Sequence, residues 1–154
     1  MRLILLSAVL LLSACSSVKK DVQGHDSRAA AYLTSYARSL SGTPYKYGGN
    51  SPDAGFDCSG FVGHVFKHTL GISLPRDARQ ISRQGNAIKL AQLEAGDLVF
   101  YATNNQSFSH VGIFLGDDRF IHAPSSGGSV RIENMDMPYW RKHYNGARRI
   151  TLRR

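Results

Sequence analysis

The chain has few cysteines, few acidic residues and no long apolar run, and each shortage narrows what it can be. Only Cys15 and Cys58 occur in 154 residues, so a disulfide-stapled scaffold is excluded. The one extended apolar stretch, Leu3 to Leu12, is about ten residues long, roughly half of what a spanning helix needs. Acidic residues are outnumbered, 11 Asp+Glu against 19 Lys+Arg, giving a formal charge of +8. Such a surface suits an anionic partner. No internal repeat is visible.

What stands at the N-terminus explains the short apolar run. Arg2 supplies a positive start, Leu3–Leu12 an apolar middle, and Ser13-Ala14 small residues before Cys15, the layout of an export signal. Leu12-Ser13-Ala14-Cys15 resembles the bacterial lipobox, in which the chain is cut before the cysteine and the cysteine is acylated. That resemblance implies a signal peptide over 1–14, a lipidated Cys15, and a lipid-anchored protein of the bacterial envelope. By resemblance to Gram-negative lipoproteins, Ser16 instead of Asp directly after the cysteine implies the outer membrane over retention in the inner one. Residues 15–27 lack apolar periodicity and read as a flexible linker, with one domain over 28–154. Export argues against nucleic acid, although the basic balance would otherwise suggest it. Cell-wall peptides and acidic phospholipids remain as partners, and a monomer is expected.

Within the domain, Ser27 can cap a helix from about Arg28 to Leu40, with Ala30, Leu33, Ala37 and Leu40 on one face and Gly42 ending it. Residues 43–56 are rich in Gly, Pro, Asn, Ser and Asp and read as an ordered loop. A second helix begins near Cys58, carries Phe61, Val62, Val65 and Phe66 inward, and closes at Gly71. A short helix follows Pro75, from about Arg76 to Arg83. From Asp97 the period changes to two, predicting strands over 98–101, 110–115, 119–122, 130–132 and 147–152. Helices first, strands later, with hairpin-length links, predict an α+β domain: N-terminal helices packed on an antiparallel sheet of about five or six strands.

The chemistry concentrates at three residues. Once Cys15 is acylated, Cys58 has no partner in an oxidising compartment, and a spare thiol there needs a reason. Free cysteine can be a small buried hydrophobe. At a helix start, however, unpaired N–H groups and the helix dipole stabilise a thiolate, with Asp57 the natural N-cap. Strand alternation sends His110, Gly112 and Phe114 to one face. A three-residue turn at 116–118 pairs Leu115 with Arg119 and Gly112 with His122, so His122 sits diagonally across from His110, with Gly112 leaving room. Cys58, His110 and His122 then supply nucleophile, base and orienter. The same three could instead ligate zinc with an open fourth position, and His64 and His68, four apart on the second helix, are a weaker pair of metal ligands. A non-catalytic wall-binding lipoprotein is the alternative from another class.

Gly42-Thr43-Pro44-Tyr45-Lys46-Tyr47-Gly48-Gly49, Phe56-Asp57-Cys58-Ser59-Gly60-Phe61, Leu74-Pro75-Arg76, Ala95-Gly96-Asp97-Leu98-Val99-Phe100, Ser109-His110-Val111-Gly112-Ile113 and Phe120-Ile121-His122-Ala123 resemble, in order, the motifs of the NlpC family of cell-wall cysteine peptidases, over about residues 29–151. The resemblance implies a reduced papain-like fold, no cofactor and no metal. It implies hydrolysis of peptidoglycan stem peptides, at the γ-D-glutamyl–diaminopimelate bond or the D-alanyl–diaminopimelate crosslink. By the same resemblance Cys58 attacks, His110 moves the proton, His122 orients it, and Tyr45 helps hold the oxyanion. Asp57, Ser59 and Ser109, beside these residues, are the expected substrate contacts. Lipid acyl transfer, known among circularly rearranged relatives of the fold, is disfavoured by the order Cys, His, His.

Overall fold

The computed structural model describes residues 15–126 and 128–151. Residues 1–14, and with them the expected export signal, lie outside that range. The first helix, α1, runs from Cys15 to Ser39, so it begins well before Arg28, and Ser27 lies inside it instead of capping it. Residues 15–27 contain no proline and a single glycine, so nothing in them breaks a helix once the Leu33–Ala37 part is nucleated by packing. The expected stripe is present: Leu33, Ala37 and Leu40 are buried. Gly42, at φ 88°, turns the chain out of the helix, and its N–H meets the Val130 carbonyl at 2.8 Å.

The loop that follows is held by two short strands, β1 (Asn50–Ser51) and β2 (Gly55–Phe56), and by bridges of Pro44 to Ser129 and Tyr45 to Phe56. Helix α2 spans Cys58–Leu70. Its start is fixed by Asp57, whose side chain accepts from the Gly60 N–H at 2.7 Å. Its end is fixed by Gly71 at φ 69°, with Gly71 N–H on Lys67 O and Ile72 N–H on Phe66 O, a Schellman closure. Phe61, Val62, Val65 and Phe66 are essentially inaccessible, each stabilising the fold by roughly 1.5–3 kcal/mol relative to exposure. The third helix, α3, is a single turn at Ala78–Ile81 capped by Asp77, shorter than the predicted 76–83.

The main sheet is antiparallel with six strands: β3 (Asn86–Ile88), β4 (Leu98–Tyr101), β5 (His110–Gly116), β6 (Arg119–His122), β7 (Arg131–Asn134) and β8 (Tyr144–Arg149), in the order β3-β8-β4-β5-β6-β7. Val111, Ile113 and Leu115 face the helices in one apolar cluster with Phe61, Val62 and Leu33. Phe114, Phe120, Val99 and Tyr101 face the other way and are covered by Trp140 from α4 (Pro138–His143). With both faces covered, β4 is buried at every position, which is why it reads as an unbroken apolar run.

The β5–β6 hairpin reaches the expected register by a different route. Asp117 and Asp118, both at positive φ, form a two-residue turn with Gly116 opposite Arg119, and a bulge between Phe114 and Gly116 absorbs one residue. Beyond the bulge Phe114 pairs with Phe120 and Ile113 with Ile121, the register that carries Gly112 toward His122. Strands β3 and the β1–β2 pair, and helix α4, were not evident in the sequence, while β7 and β8 are displaced by one to three residues from the predicted ranges.

Candidate active site

His110 stands at the first position of β5 and His122 at the last of β6, both buried. The hairpin brings His110 Nε2 to 2.7 Å from His122 Nδ1, with the rings perpendicular. This contact depends on Gly112: a Cβ there would lie 2.8 Å from the Phe120 ring, 2.9 Å from the Ile121 carbonyl and 3.2 Å from the His122 Cβ. Trp140 closes over the pair, 5.0 Å from the His122 ring and 6.1 Å from that of His110. Sequence reasoning missed Trp140 because α4 is only six residues long and carries no periodic pattern.

Burial drives the His110 pKa down to about 4. Burial, the neighbouring His110 and the charge of Arg131, its cross-strand partner, lower that of His122 further. Both imidazoles are therefore neutral at neutral pH. One proton lies between them, and His122 Nε2 has no partner among the described residues. The nitrogen of His110 outside this bond is Nδ1.

Cys58 opens α2 and is a free, half-buried thiol. Burial raises its pKa most, and the Asp57 carboxylate adds to that; the N–H groups of Val111, Ser59 and Cys58 itself pull it down without prevailing. The helix-start amides thus act as expected but do not ionise the thiol at rest. The Val111 amide places the sulfur against β5 at the residue after His110. Tyr45, on the loop before α2, is raised by burial and then by the charges of Asp57 and Cys58, so its phenol keeps its proton beside the sulfur.

Asp57 does more than cap. It forms a fork with Arg76, Nη1 to Oδ1 and Nη2 to Oδ2, both 2.9 Å, and accepts from the Gly48 N–H at 3.0 Å. Burial alone would raise its carboxyl; the Arg76 hydrogen bonds and charge and the Gly60 and Gly48 amides outweigh this and hold it below the ordinary range. Ser59 is buried, donating to the Arg76 carbonyl at 2.7 Å and accepting from Arg76 Nη1 at 2.7 Å. Ser109 receives the Thr103 N–H at 3.0 Å and so braces the loop before His110. Arg76 was legible only as part of Leu74-Pro75-Arg76; its function as the tie between Asp57, Ser59 and the Gly49 carbonyl is a structural finding.

Among the described residues, no group of three or more His, Cys, Asp or Glu side chains is arranged to hold a metal ion. His64 Nε2 is 2.9 Å from the Tyr36 hydroxyl, and His68 stacks on the Tyr36 ring at 4.1 Å. These two histidines tie α2 to α1.

Comparison with known proteins agrees with this architecture. The chain is 40% identical over 153 residues to the "Probable endopeptidase NlpC" of Escherichia coli K12, covering 96% of this chain and 97% of that protein. It is 40% identical over 112 residues to the "Murein DD-endopeptidase MepH" of the same organism, covering 71% of this chain but 41% of the relative. The chain spans about half the length of several such curated relatives. A crystal structure of an NlpC/P60 family protein from Bacillus cereus ATCC 10987 superposes with a TM-score of 0.72 at 38% identity, covering 78% of this chain and 39% of that one. The model of the NlpC/P60 family matches residues 42–149, which hold the loop of Tyr45, the start of α2 and the whole sheet, and the chain belongs to that family.

Proposed function

We propose that this protein is a cysteine endopeptidase that cuts peptidoglycan stem peptides, with Cys58, His110 and His122 as its triad. The observation that carries the reading is the buried, hydrogen-bonded His110–His122 pair, together with a thiol at a helix start that meets the amide of Val111, the residue after His110. A thiol that is protonated at rest needs a base, and a neutral imidazole held by a second one is such a base.

In this mechanism His110 Nδ1 takes the Cys58 proton as sulfur attacks the amide carbonyl carbon. His110 then donates through Nε2 to His122 Nδ1, which holds the imidazolium in place. The carbonyl oxygen becomes an oxyanion, which accepts hydrogen bonds from the Cys58 N–H and the Tyr45 hydroxyl. The C–N bond breaks as His110 returns the proton to the leaving amine, and a thioester remains. Water, deprotonated by His110, releases the acid and restores the thiol.

Asp57, Ser59 and Ser109 serve mainly through the bonds already described: they fix the loop, the first turn of α2 and the approach to β5. Relatives of similar identity are named for each kind of bond, a murein DD-endopeptidase and a gamma-DL-glutamyl hydrolase, so both candidate bonds stay in the proposal. The export signal over 1–14, acylation of Cys15 and outer-membrane attachment complete the proposal, with a monomer facing the periplasm. Mass spectrometry of muropeptides digested by wild-type and Cys58→Ala protein tests it. A single new cleavage at a diaminopimelate bond, absent with the variant and accompanied by no attack on casein, is expected; cleavage persisting in Cys58→Ala would remove the thiol from the mechanism.

A further inference from the structure

Four arginines of the domain are neutralised by carboxylates: Arg76 by Asp57, Arg119 by Asp117, Arg131 by Glu133, and Arg149 by Asp97 and Glu94. Arg79, Arg83 and Arg148 have no such partner among the described residues, and all three line one open cleft of about 820 Å³. The rest of its wall is neutral, with Ser82, Asn105, Gln106 and Phe108 among it, and no Asp or Glu takes part. Three cations gathered without a counter-charge repel one another, a cost that a bound anion removes.

The cleft is also prepared. Arg148 donates through Nε to the Ser82 carbonyl and through Nη1 to the Ala147 carbonyl, and its guanidinium lies 5.9 Å over the Phe108 ring. Those three contacts fix its plane before any ligand arrives, so little side-chain entropy is lost on binding. Arg79 and Arg83 are exposed on and just after α3. An arginine fork matches a carboxylate geometrically.

Its position ties it to the catalytic centre. Phe108 is two residues before His110, a span of at most about 7 Å of chain. Arg79 is three residues after Arg76, which is bonded to the residue preceding Cys58. A stem peptide lying across the sulfur carries free carboxylates on both sides of the cut, because a γ-linked glutamate keeps its α-carboxyl and diaminopimelate keeps at least one of its own.

We propose that the Arg79–Arg83–Arg148 cleft is a subsite that reads a free stem-peptide carboxylate next to the scissile bond, so that amidated stems bind less well. This deepens the peptidase reading and rests on it. The test uses full-length Cys58→Ala protein, which does not consume its ligand, and calorimetric titration with a soluble crosslinked dimer of disaccharide tetrapeptides, which carries both candidate bonds, and its carboxamide form. The acid form is expected to bind about tenfold tighter. Arg79→Gln/Arg83→Gln should abolish that preference, and Arg148→Lys, which keeps the charge but loses the fork, should reduce it. Equal affinity for the two forms, or a preference unchanged in the double variant, would overturn the proposal. So would loss of binding to phosphatidylglycerol vesicles in the double variant with the muropeptide preference intact, which would assign the cleft to a lipid surface. Wild-type protein is assayed in parallel for cleavage of the same muropeptide: intact muropeptide together with a preserved acid preference supports the subsite and defeats the peptidase reading alone.

Discussion

The Cys58 sulfur meets two opposed influences, burial and the Asp57 charge on one side and three amide hydrogens on the other, and the first pair prevails. On the proposed mechanism the ion pair forms only as substrate arrives, so loss of the thiol is expected to stop turnover while leaving the fold in place. Cys58→Ala should lower kcat/KM by at least about 10³-fold with Tm within about 2 °C of wild type, checked by muropeptide turnover and thermal circular dichroism. His110 makes a second prediction. Its folded pKa of about 4 lies below the 6.5 of an unperturbed imidazole. As pH falls below 6.5 the unfolded chain takes up the proton first, so stability is full above that pH and is lost between 6.5 and 4. By pH 5 the loss from this residue is about 2 kcal/mol. Urea midpoints at pH 7 and pH 5 should show it, and His110→Gln should shrink the difference while His122, lowered in the same direction, keeps its own share; an unchanged difference in the variant would place the acid sensitivity elsewhere.

Among the elements, α2 was the most legible, because Asp57 and Gly71 mark its ends and Phe61, Val62, Val65 and Phe66 its face. Strands β4, β5 and β6 were legible through their apolar pattern, and the His110–His122 proximity followed from register alone. What escaped were pieces with no periodicity of their own: β3, a three-residue strand with two exposed positions that exists by pairing with β8, and α4, a short helix made stable by the burial of Trp140. The start of α1 was misplaced because polar composition alone does not forbid a helix. One feature of α2 had no sequence signal. A Cβ at Gly60 would lie 2.0 Å from the Gly49 carbonyl, so the first turn of the helix touches the Tyr45 loop backbone to backbone. Gly60→Ala should push them apart, costing about 3 kcal/mol and most of the activity. Gly63, one turn on, has open space around its missing Cβ. Gly63→Ala should stabilise α2 by about 1 kcal/mol with activity retained, so the two chemically identical changes should move the urea midpoint in opposite directions.

For the whole molecule the question is how a chain with a formal charge of +8 is held near its substrate. Among the described residues no helix is long and apolar enough to cross a membrane, and α1 begins at Cys15 itself. If Cys15 is the acylated residue, the twelve positions before Ser27 form a helical stalk of about 18 Å between bilayer and domain, a stiffer spacer than a coil of the same length. Attachment would then reside in the acyl chains, since two or three chains anchor durably and surface charge adds only a salt-sensitive component. Cys15→Ser should therefore shift the protein from the membrane pellet to the soluble fraction. Wild type should stay in the pellet through a 1 M salt wash, where the screening length falls to about 3 Å and charge-driven adhesion is lost. Release of wild type by salt would show that its basic surface holds it there instead. Pellet retention of Cys15→Ser through that wash would place the anchor outside Cys15.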